Sequence, residues 1–421
     1  MTESAYSFYV GIDWATAAHQ VTVLDPARRL IAERSVPHTG EALAEFATWL
    51  TTLADGAPSG VAVAIEVPRG AVVDTLLERG IAVFALNPKQ LDRFRDRHTV
   101  AGAKDDRRDA FVLADALRTD RPAFRQVQAE DPLVIQLRDL SRLDADLLQD
   151  LTRRCNRLRE QLLRFFPQPL AFCPAADEPW LWALLTLAPS PTAARRLTRA
   201  KLEKLLRACQ IRRFTGDALR AALQTPALHV APGTAEAASA HITLLLPHLR
   251  LLNTQRKTCA RQLEELLTRL HGPDNAGPPE PPSDVAIIRS APGIGRGIAA
   301  ALLAEGGRPL AERDLFSLRA HAGIAPVTQQ SGKRIVVRMR FGCNGRLRNA
   351  LYHWGRGAIQ LDPRARTHYQ HLRSCGHSHG RALRGVVDRL LAMLIAMLRA
   401  GTCYDPQRRQ VATPDVAEQM A

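Results

Sequence analysis

Two leucine-rich seams in the middle of the chain constrain its fold most strongly. In residues 137–165 apolar side chains recur every seven positions, and in residues 242–270 they recur at alternating steps of three and four. Such spacings put side chains on one face of a helix. They predict two long helices, paired as an antiparallel coiled-coil arm or packed in a plain helical bundle. Arg256 interrupts the second seam, and Pro247 predicts a kink there or a late helix start.

The first 125 residues follow a different pattern, in which short β-rich runs alternate with helical ones. We predict strands over residues 8–12, 20–24, 61–65 and 81–86, and helices over residues 41–53, 71–78 and 106–118. This alternation indicates an α/β domain with a mixed sheet.

These patterns and the Pro/Gly-rich stretches divide the chain into five predicted parts. They are an α/β domain (1–125), a helical coiled-coil region with an insertion (126–271), a Pro/Gly linker (272–284), a mainly α-helical second domain (285–400) and a mobile polar tail (401–421). The insertion includes a predicted short basic helix over residues 197–213.

Composition excludes several classes of protein. With 46% hydrophobic residues among 421, the chain is not disordered, and its longest apolar run is far shorter than a membrane span. The N-terminus has no signal-peptide pattern, and seven scattered cysteines favour no disulfide framework, so we expect a cytoplasmic protein. The net charge of +15 points to a nucleic acid partner, although 51 of the 57 basic residues are arginine, which a GC-rich genome also produces.

Four acidic residues of the first domain form a candidate metal site. Two end predicted strands and two lie one turn apart on a predicted helix: Asp13, Glu66, Asp106 and Asp109. Clustered carboxylates need a cation, and oxygen ligands suit Mg²⁺, two ions of which can clamp a phosphoryl transfer. This order of acids is the layout of a ribonuclease H-like sheet. Asp105 competes with Asp106 for the ligand position, and Asp115 is a weaker competitor.

The second domain carries a candidate nucleic acid interface. The turn at Gly293 and Gly295 is similar to the hairpin of helix-hairpin-helix proteins, whose backbone N–H groups approach phosphates. Residues 331–356 hold seven basic side chains and no acid: Lys333, Arg334, Arg338, Arg340, Arg346, Arg348 and Arg356. Ser331 begins this stretch. It is either an ordinary turn residue or a nucleophile surrounded by arginines, and spacing alone does not decide between the two.

Both terminal domains of the sequence resemble the DEDD transposases of bacterial insertion sequences, which are bridge-RNA-guided recombinases, and the middle helices fit the coiled-coil region of that family by pattern alone. The matching segments keep the family order: VGIDWATAAHQVTVLD, AIE, NPKQLDRFR, AKDDRRDAFVLADAL, PGIGRGIAAALLAE, LRAHAGIAPVTQQSGKR, GCNGRLRNALYHW and GTCYDP. The helix motif Lys-x-Asp-x-x-Asp of the family falls on Lys104, Asp106 and Asp109, whereas Asp105 replaces the usual Thr or Ser. The chain is also long for the family, with the excess around residues 166–235 and in the linker.

The resemblance implies a specific activity. Asp13, Glu66, Asp106 and Asp109 would hold Mg²⁺, two ions per site, in a RuvC-like domain, and Ser331 would form the covalent link to DNA. The basic residues and the two turn glycines would contact nucleic acid. Partners would be donor and target DNA and a non-coding guide RNA, which selects sequences by base pairing. The protein would form a dimer to tetramer that joins the two domains of different protomers, and would be cytoplasmic and nucleoid-associated, with no membrane.

Three other functions remain open from the sequence. A RuvC-like structure-specific nuclease needs only the four acids and hydrolyses DNA without a covalent step. VGIDWAT is also similar to the phosphate-binding turn of sugar kinases and actin-like ATPases, but no second phosphate loop or adenosine motif accompanies it. A nucleic-acid-binding scaffold with an inactive acidic site is the third.

Overall fold

The computed structural model of the protein describes residues 6–96, 105–129, 131–272, 281–332 and 334–407. The chain divides into two units, residues 1–131 and residues 132–421. Lys104, Lys333 and most of the predicted linker (272–284) and tail (401–421) lie outside the described residues.

A six-stranded mixed sheet forms the centre of the first unit. Its strands are Phe8–Asp13 (β1), Ala18–Leu24 (β2), Leu30–Pro37 (β3), Val61–Ile65 (β4), Ala82–Ala85 (β5) and Arg125–Gln126 (β6). Their order is β3-β2-β1-β4-β5-β6, in which β1, β4 and β5 are parallel and the other neighbours are antiparallel. The predicted mixed sheet is therefore present, with β3 and β6 in addition. The residues of β3 are mostly exposed, so β3 lacks the buried apolar run by which the other strands were recognised.

Helices cover both faces of this sheet. They are Gly40–Leu53 (α1), Ala71–Glu78 (α2), Pro88–Asp96 (α3) and Asp106–Asp120 (α4). Along β1 the side chains alternate: Val10 and Ile12 pack with residues of α1 and α2, whereas Tyr9 packs with residues of α3 and α4. The sheet thus separates two apolar layers. Helix α4 belongs to the layer that contains Tyr9.

The second unit is mainly helical and contains one two-stranded hairpin. Its helices are Pro132–Phe165 (α5), Pro179–Leu187 (α6), Pro191–Arg195 (α7), Arg199–Ala208 (α8), Gly216–Gln224 (α9), Thr234–His271 (α10), Asp284–Ser290 (α11), Arg296–Glu305 (α12), Gly307–Ala311 (α13), Leu315–His321 (α14), Gly345–Leu361 (α15), Pro363–Ser374 (α16) and His379–Ala400 (α17). The hairpin strands are Val327–Ser331 (β7) and Arg334–Arg338 (β8). Within the described parts of the chain, the helices are too short or too polar to cross a membrane.

The two leucine-rich seams lie on α5 and α10, which pack against each other in antiparallel orientation. Cys259 Sγ lies 3.3 Å from the carbonyl oxygen of Leu140, and Arg256 Nε lies 3.4 Å from Asp144. The residue numbers of α10 therefore decrease along the contact as those of α5 increase, so the two helices are antiparallel. Arg256 is tolerated in the seam because it pairs with Asp144. Pro247 lies inside α10, which begins at Thr234, so the expectation of a late start is wrong.

The segment between α5 and α10 folds onto the ends of these helices. Its core contains two fully buried tryptophans, Trp180 and Trp182, together with Phe165 and Phe166 at the end of α5. The indole of Trp182 donates a 2.9 Å hydrogen bond to the carbonyl oxygen of Ala176. The extra length noted in the sequence therefore forms a helical cap around the distal end of the α5–α10 pair.

A buried carboxylate joins three elements of the second unit. Glu305, 6% exposed at the end of α12, accepts hydrogen bonds from Arg142 Nε (2.6 Å) and Nη2 (3.1 Å) on α5 and from Asn344 Nδ2 (2.7 Å). Burial opposes ionisation, but these hydrogen bonds and the charges of Arg142 and Arg138 outweigh it and hold the pKa of Glu305 below its usual range. The ion pair therefore stabilises the fold at neutral pH.

Replacing Glu305 by glutamine is expected to lower the free energy of unfolding of the second unit by about 3 kcal/mol at pH 7, because the arginine loses its buried partner. Since the pKa is depressed in the folded state, this contribution exists above the unfolded-state pKa of about 4.3 and disappears as pH falls through the folded value. Urea unfolding at pH 7 and at acid pH measures both effects. Glu312→Gln removes an exposed i,i+4 pair with Arg308 and is the control, with little change expected. Equal effects of the two variants would contradict the prediction.

Candidate active site

Asp13 and Glu66 lie at the same edge of the first unit's sheet. Asp13 ends β1 and Glu66 directly follows β4, and the parallel register pairs Ile12 with Ile65. The next position along both strands is Asp13 beside Glu66, and neighbouring strands are about 4.8 Å apart. Both side chains are half-buried. The two strand-end acids of the sequence prediction are therefore neighbours at the carboxyl ends of parallel strands.

Helix α4 lies directly on β1 because residue 11 is glycine. A Cβ atom at Gly11 would be 1.9 Å from the carbonyl oxygen of Ala110 and 2.6 Å from the backbone nitrogen of Ala114. Asp13 is two residues beyond Gly11 and so lies on the same side of the sheet, the side that α4 covers. The close approach of helix and strand thus brings the acids of both elements to one layer.

The three aspartates at the start of α4 have different environments. Asp105 is the N-cap, and its Oδ1 accepts a 3.2 Å hydrogen bond from the backbone N–H of Arg107. Asp106 is exposed. Asp109 is only 2% exposed, and both of its oxygens accept 2.6 Å hydrogen bonds from Arg95 of α3. Asp105 therefore already has a structural role, which leaves Asp106 and Asp109 as the one-turn pair.

The fourth aspartate of α4 belongs to a separate ion pair. Asp115 is buried and pairs with Arg118 (2.7 Å) and with Arg28 (3.4 Å). These partners account for its burial without a metal ion.

The donor set fits a divalent cation chemically. Asp13, Glu66, Asp106 and Asp109 offer only oxygen ligands, which Mg²⁺ prefers. Asp109 is buried and already requires a positive neighbour, which Arg95 supplies. All four residues belong to the described part of the chain, and no three of their carboxylates have oxygens within 4.8 Å of one another. The ion pair with Arg95 occupies one acceptor site on each oxygen of Asp109, and the remaining lone pairs could still bind a cation.

One other group of ligand atoms does meet that distance, and it lies in the helical cap. It consists of Cys173, Asp177 and Glu178. Glu178 is engaged by Arg213 (2.6 Å) and by the Trp180 indole (3.2 Å). Burial raises the pKa of the Cys173 thiol to about 11, which disfavours the thiolate that a metal needs. The group is better explained as part of the packing of the cap.

Ser331 lies at the end of β7 in an exposed hairpin. It pairs with Arg334 across the ladder, and Gln329 pairs with Val336. Directly paired residues of antiparallel strands project to the same side, and sides alternate along each strand. Ser331, Arg334 and Arg338 therefore share one face, whereas Ile335 and Val337 lie on the other, 61% and 62% exposed. The serine hydroxyl thus faces the same side as two arginines.

The other predicted nucleic-acid contacts are distributed unevenly. Gly293 has φ of 84°, and a Cβ there would lie 2.7 Å from the backbone nitrogen of Ala358 on α15, so the glycine is required for helix packing. Gly295 has open space around it. Arg346 pairs with Asp146 of α5 at 3.0 Å, and Arg340 donates to the carbonyl oxygen of Ala325 at 3.3 Å. In the described chain, Arg334 and Arg338 are exposed beside the serine.

Two family profiles match the chain: one covers most of the first unit together with α5, and the other covers part of the second unit. The first, a DEDD profile described as "Transposase", covers residues 10–167, and the second, described as "Transposase IS116/IS110/IS902 family", covers residues 285–370. The protein assigned as transposase to the IS117 mini-circle of Streptomyces coelicolor is 31% identical over 97% of this chain and 98% of its own length. The chain belongs to this transposase family.

Other relatives agree with that assignment. The protein y4uE of Sinorhizobium fredii, also named as a transposase, is 50% identical over 49% of this chain, and this chain spans 58% of its length. The 43.6 kDa protein of insertion element IS110 of Streptomyces coelicolor is 29% identical over 94% of this chain and 95% of its own length.

Sequence reasoning missed two features of this transposase. One is Arg95, which pairs with Asp109. The two residues are 14 positions apart, and no regular sequence spacing connects them. The other is the β7–β8 hairpin. Its signal was present in the sequence, since Ser331 and Gly332 separate a polar run from the β-branched run Ile335 to Val337. Gly332 adopts φ of 56°, as a tight turn requires.

Replacing Gly11 by alanine is expected to disrupt the acidic site of the transposase. The new methyl group would force α4 away from β1 and lower the stability of the first unit by about 2 kcal/mol or more. Thermal unfolding and Mg²⁺-dependent DNA cleavage measure the effect. Gly40→Ala, at a position with nothing within 4 Å, is the control and should retain both. Wild-type stability of the Gly11 variant would show that α4 does not depend on this contact.

Proposed function

We propose that this protein is the Mg²⁺-dependent transposase of an insertion sequence, which cuts and rejoins DNA strands through a covalent link between Ser331 and DNA. Asp13, Glu66, Asp106 and Asp109 hold the metal, in a domain of the RuvC type. Family membership supports the DNA substrate. The geometry of the serine hairpin supports the covalent step.

The observation that carries the proposal is the common face of Ser331, Arg334 and Arg338 on an exposed hairpin. A serine hydroxyl attacks a phosphodiester by forming an Oγ–P bond, while the leaving 3′ oxygen accepts a proton. The pentacoordinate transition state carries extra negative charge on its equatorial oxygens, and nearby guanidinium groups stabilise it. Arg334, directly across the ladder, is the nearest such group by register.

The acidic site supplies the second part of the chemistry. Asp13, Glu66, Asp106 and Asp109 would hold a divalent cation, which would supply Lewis-acid stabilisation of the charge that develops on the phosphoryl oxygens. The chain's own contribution is to fix the ligands: β1 and β4 place Asp13 beside Glu66, and the Gly11 contact fixes α4. Arg95 neutralises Asp109 when no cation is bound.

A RuvC-like nuclease that only hydrolyses DNA is the second candidate. The four carboxylates favour it, since hydrolysis needs no serine. It leaves the face shared by Ser331, Arg334 and Arg338 without a role, and it does not explain why that face belongs to a domain matched by a transposase family profile. The sugar-kinase alternative also leaves the basic face without a role. The scaffold alternative would be excluded if Asp13→Ala abolished a measurable Mg²⁺-dependent activity.

The proposal includes a guide RNA and an oligomer. A non-coding RNA encoded beside the gene pairs with donor and target DNA, and a dimer to tetramer brings the serine of one protomer to the acids of another. The net charge of +15 is consistent with a protein that holds RNA and DNA together.

The proposed function is tested by purifying the protein from cells that carry its insertion element and sequencing the bound nucleic acid. One abundant RNA from the flanking region is expected. The purified complex should then join donor and target strands with Mg²⁺ and not with EDTA. Random RNA fragments would overturn the guide, and cleavage without strand joining would favour the nuclease.

A further inference from the structure

A cavity of about 380 Å³ lies at the foot of the serine hairpin. Ile324 lies three residues before β7, and Met339 directly follows β8. The rest of the wall comes from α15, with Arg348 and Tyr352, and from α17, with Leu383 and Arg384 among others. Its volume is within the range of about 300–1,000 Å³ that is usual for small-molecule sites.

The walls combine flat apolar surface with positive charge. Ile324, Met339 and Leu383 supply the apolar part, and Tyr352, which is 38% exposed, adds an aromatic ring. The charged residues that line the cavity are two arginines, and its lining includes no carboxylate. Such a site suits a planar, weakly polar group that carries a negative charge at one end.

Arg348 is the cavity residue whose hydrogen bonding is incomplete. Its Nη1 atom is buried and has no hydrogen-bond partner in the described part of the protein, so the side chain must turn toward the cavity for this atom to reach an acceptor there. A buried guanidinium N–H without an acceptor is costly. The tight turn at Gly323, which has φ of 69°, brings Cys343 and the Arg348 side chain against it and so restricts the arginine's position. Arg384 Nη1 makes a long contact of 3.7 Å with Met339 Sδ, which a stronger acceptor would replace.

We propose that this cavity holds one nucleotide turned out of the DNA helix, with its base against Tyr352, Met339 and Leu383 and its phosphate on Arg348 and Arg384. The inference rests on the proposed function, because that function brings DNA to the hairpin. Aromatic and apolar side chains hold extruded bases in this way. The DNA strand, which is bound by Ser331 on the same hairpin, is the occupant.

The hairpin sets the distance between the cavity and the serine. Four residue steps separate Val327 at the foot from Ser331 at the end of β7, which is roughly 13 Å at about 3.3 Å per residue. A DNA strand in a duplex advances roughly 3.4 Å per nucleotide. A nucleotide in the cavity and the phosphate at Ser331 would therefore be separated by roughly the length of β7.

Photo-cross-linking tests the cavity without any chemistry at the active site. Full-length Ser331→Ala protein in EDTA is irradiated with single-stranded DNA that contains 5-iododeoxyuridine, and adducts are mapped by mass spectrometry. Cross-links are expected on Tyr352. Arg348→Gln should reduce their yield by about tenfold or more, since a charge-assisted hydrogen bond is lost. Arg381→Gln, an exposed arginine that does not line the cavity, should change it less than twofold.

A competition experiment guards against loss of folding in the Arg348 variant. Free dTMP should suppress the Tyr352 adduct of the Ser331→Ala protein with little effect on adducts elsewhere. Absence of a Tyr352 adduct, an Arg348→Gln yield equal to the parent's, or a failure of dTMP to compete would each overturn the proposal. Stronger cross-linking to the matching RNA than to DNA would overturn the assignment to DNA. Because the assay needs neither metal nor nucleophile, its failure is distinguishable from failure of the proposed strand transfer.

Discussion

Replacing Ser331 by alanine is expected to abolish the covalent protein–DNA species and to reduce strand joining on the order of 10⁴-fold, because removal of a nucleophile eliminates the step that it performs. DNA binding should remain close to that of the wild type, since the hairpin arginines are unchanged. The measurement is denaturing electrophoresis of end-labelled DNA after reaction, with mass spectrometry of the adduct.

Thr328 provides a matched control for this experiment. It also carries a hydroxyl group on β7, but it pairs with Val337 and so belongs to the opposite face of the hairpin. Thr328→Ala should therefore retain the adduct. Persistence of the adduct in Ser331→Ala would place the nucleophile elsewhere. If wild-type protein cleaves DNA and forms no adduct at all, the hydrolytic nuclease is the better description.

Under the proposed function Asp106 is a metal ligand, so replacing it by asparagine is expected to reduce Mg²⁺-dependent cleavage on the order of 10³-fold, because a ligand that contributes several kcal/mol is weakened. The affinity for Mg²⁺, measured by isothermal titration calorimetry, should fall as well. Asp109→Asn should act in the same direction and also remove one of the two acidic partners of Arg95, which keeps its ion pair with Asp92.

The neighbouring aspartates of α4 are the controls for the metal site. Asp105→Asn keeps a side chain that caps helices as well as aspartate does, so activity, Mg²⁺ affinity and stability should remain near wild type. Asp115→Asn removes the partner of Arg118 and should lower stability and leave Mg²⁺ affinity intact. A larger loss of Mg²⁺ affinity in Asp105→Asn than in Asp106→Asn would reverse the ligand assignment.

The distinction between Asp105 and Asp106 shows where sequence reasoning ends. Both are acids at the start of one predicted helix, and spacing permits either to face Asp109. The structure shows a difference in their environments: the side chain of Asp105 caps α4 by accepting from the backbone N–H of Arg107, and we propose Asp106 as the ligand on that ground. Similarly, the hydrophobic alternation of β1 predicted a buried strand, but the need for glycine at position 11 became visible only when α4 was placed on it.

The second unit shows the same division. The spacing of apolar residues predicted α5 and α10. It gave no reason for the arginine at position 256, which the structure explains by its ion pair with Asp144 on the facing helix. The acid-free basic stretch could be read directly from the sequence. Which of its arginines pair with acids of other helices, as Arg346 does, and which lie beside Ser331 depends on contacts between residues far apart in the chain.

Motifs read from the sequence carried the resemblance to the family. The spacing of apolar residues determined the alternation of strands and helices in the first unit and the long helices of the second, because local spacing controls which surface each element buries. Only the tertiary structure decided the partners of individual charges. Arg95 engages Asp109, Arg142 engages Glu305, and Arg334 lies opposite Ser331. Ion pairs and hydrogen bonds form between side chains that are close in space, and the order of residues along the chain does not show which distant residues become neighbours.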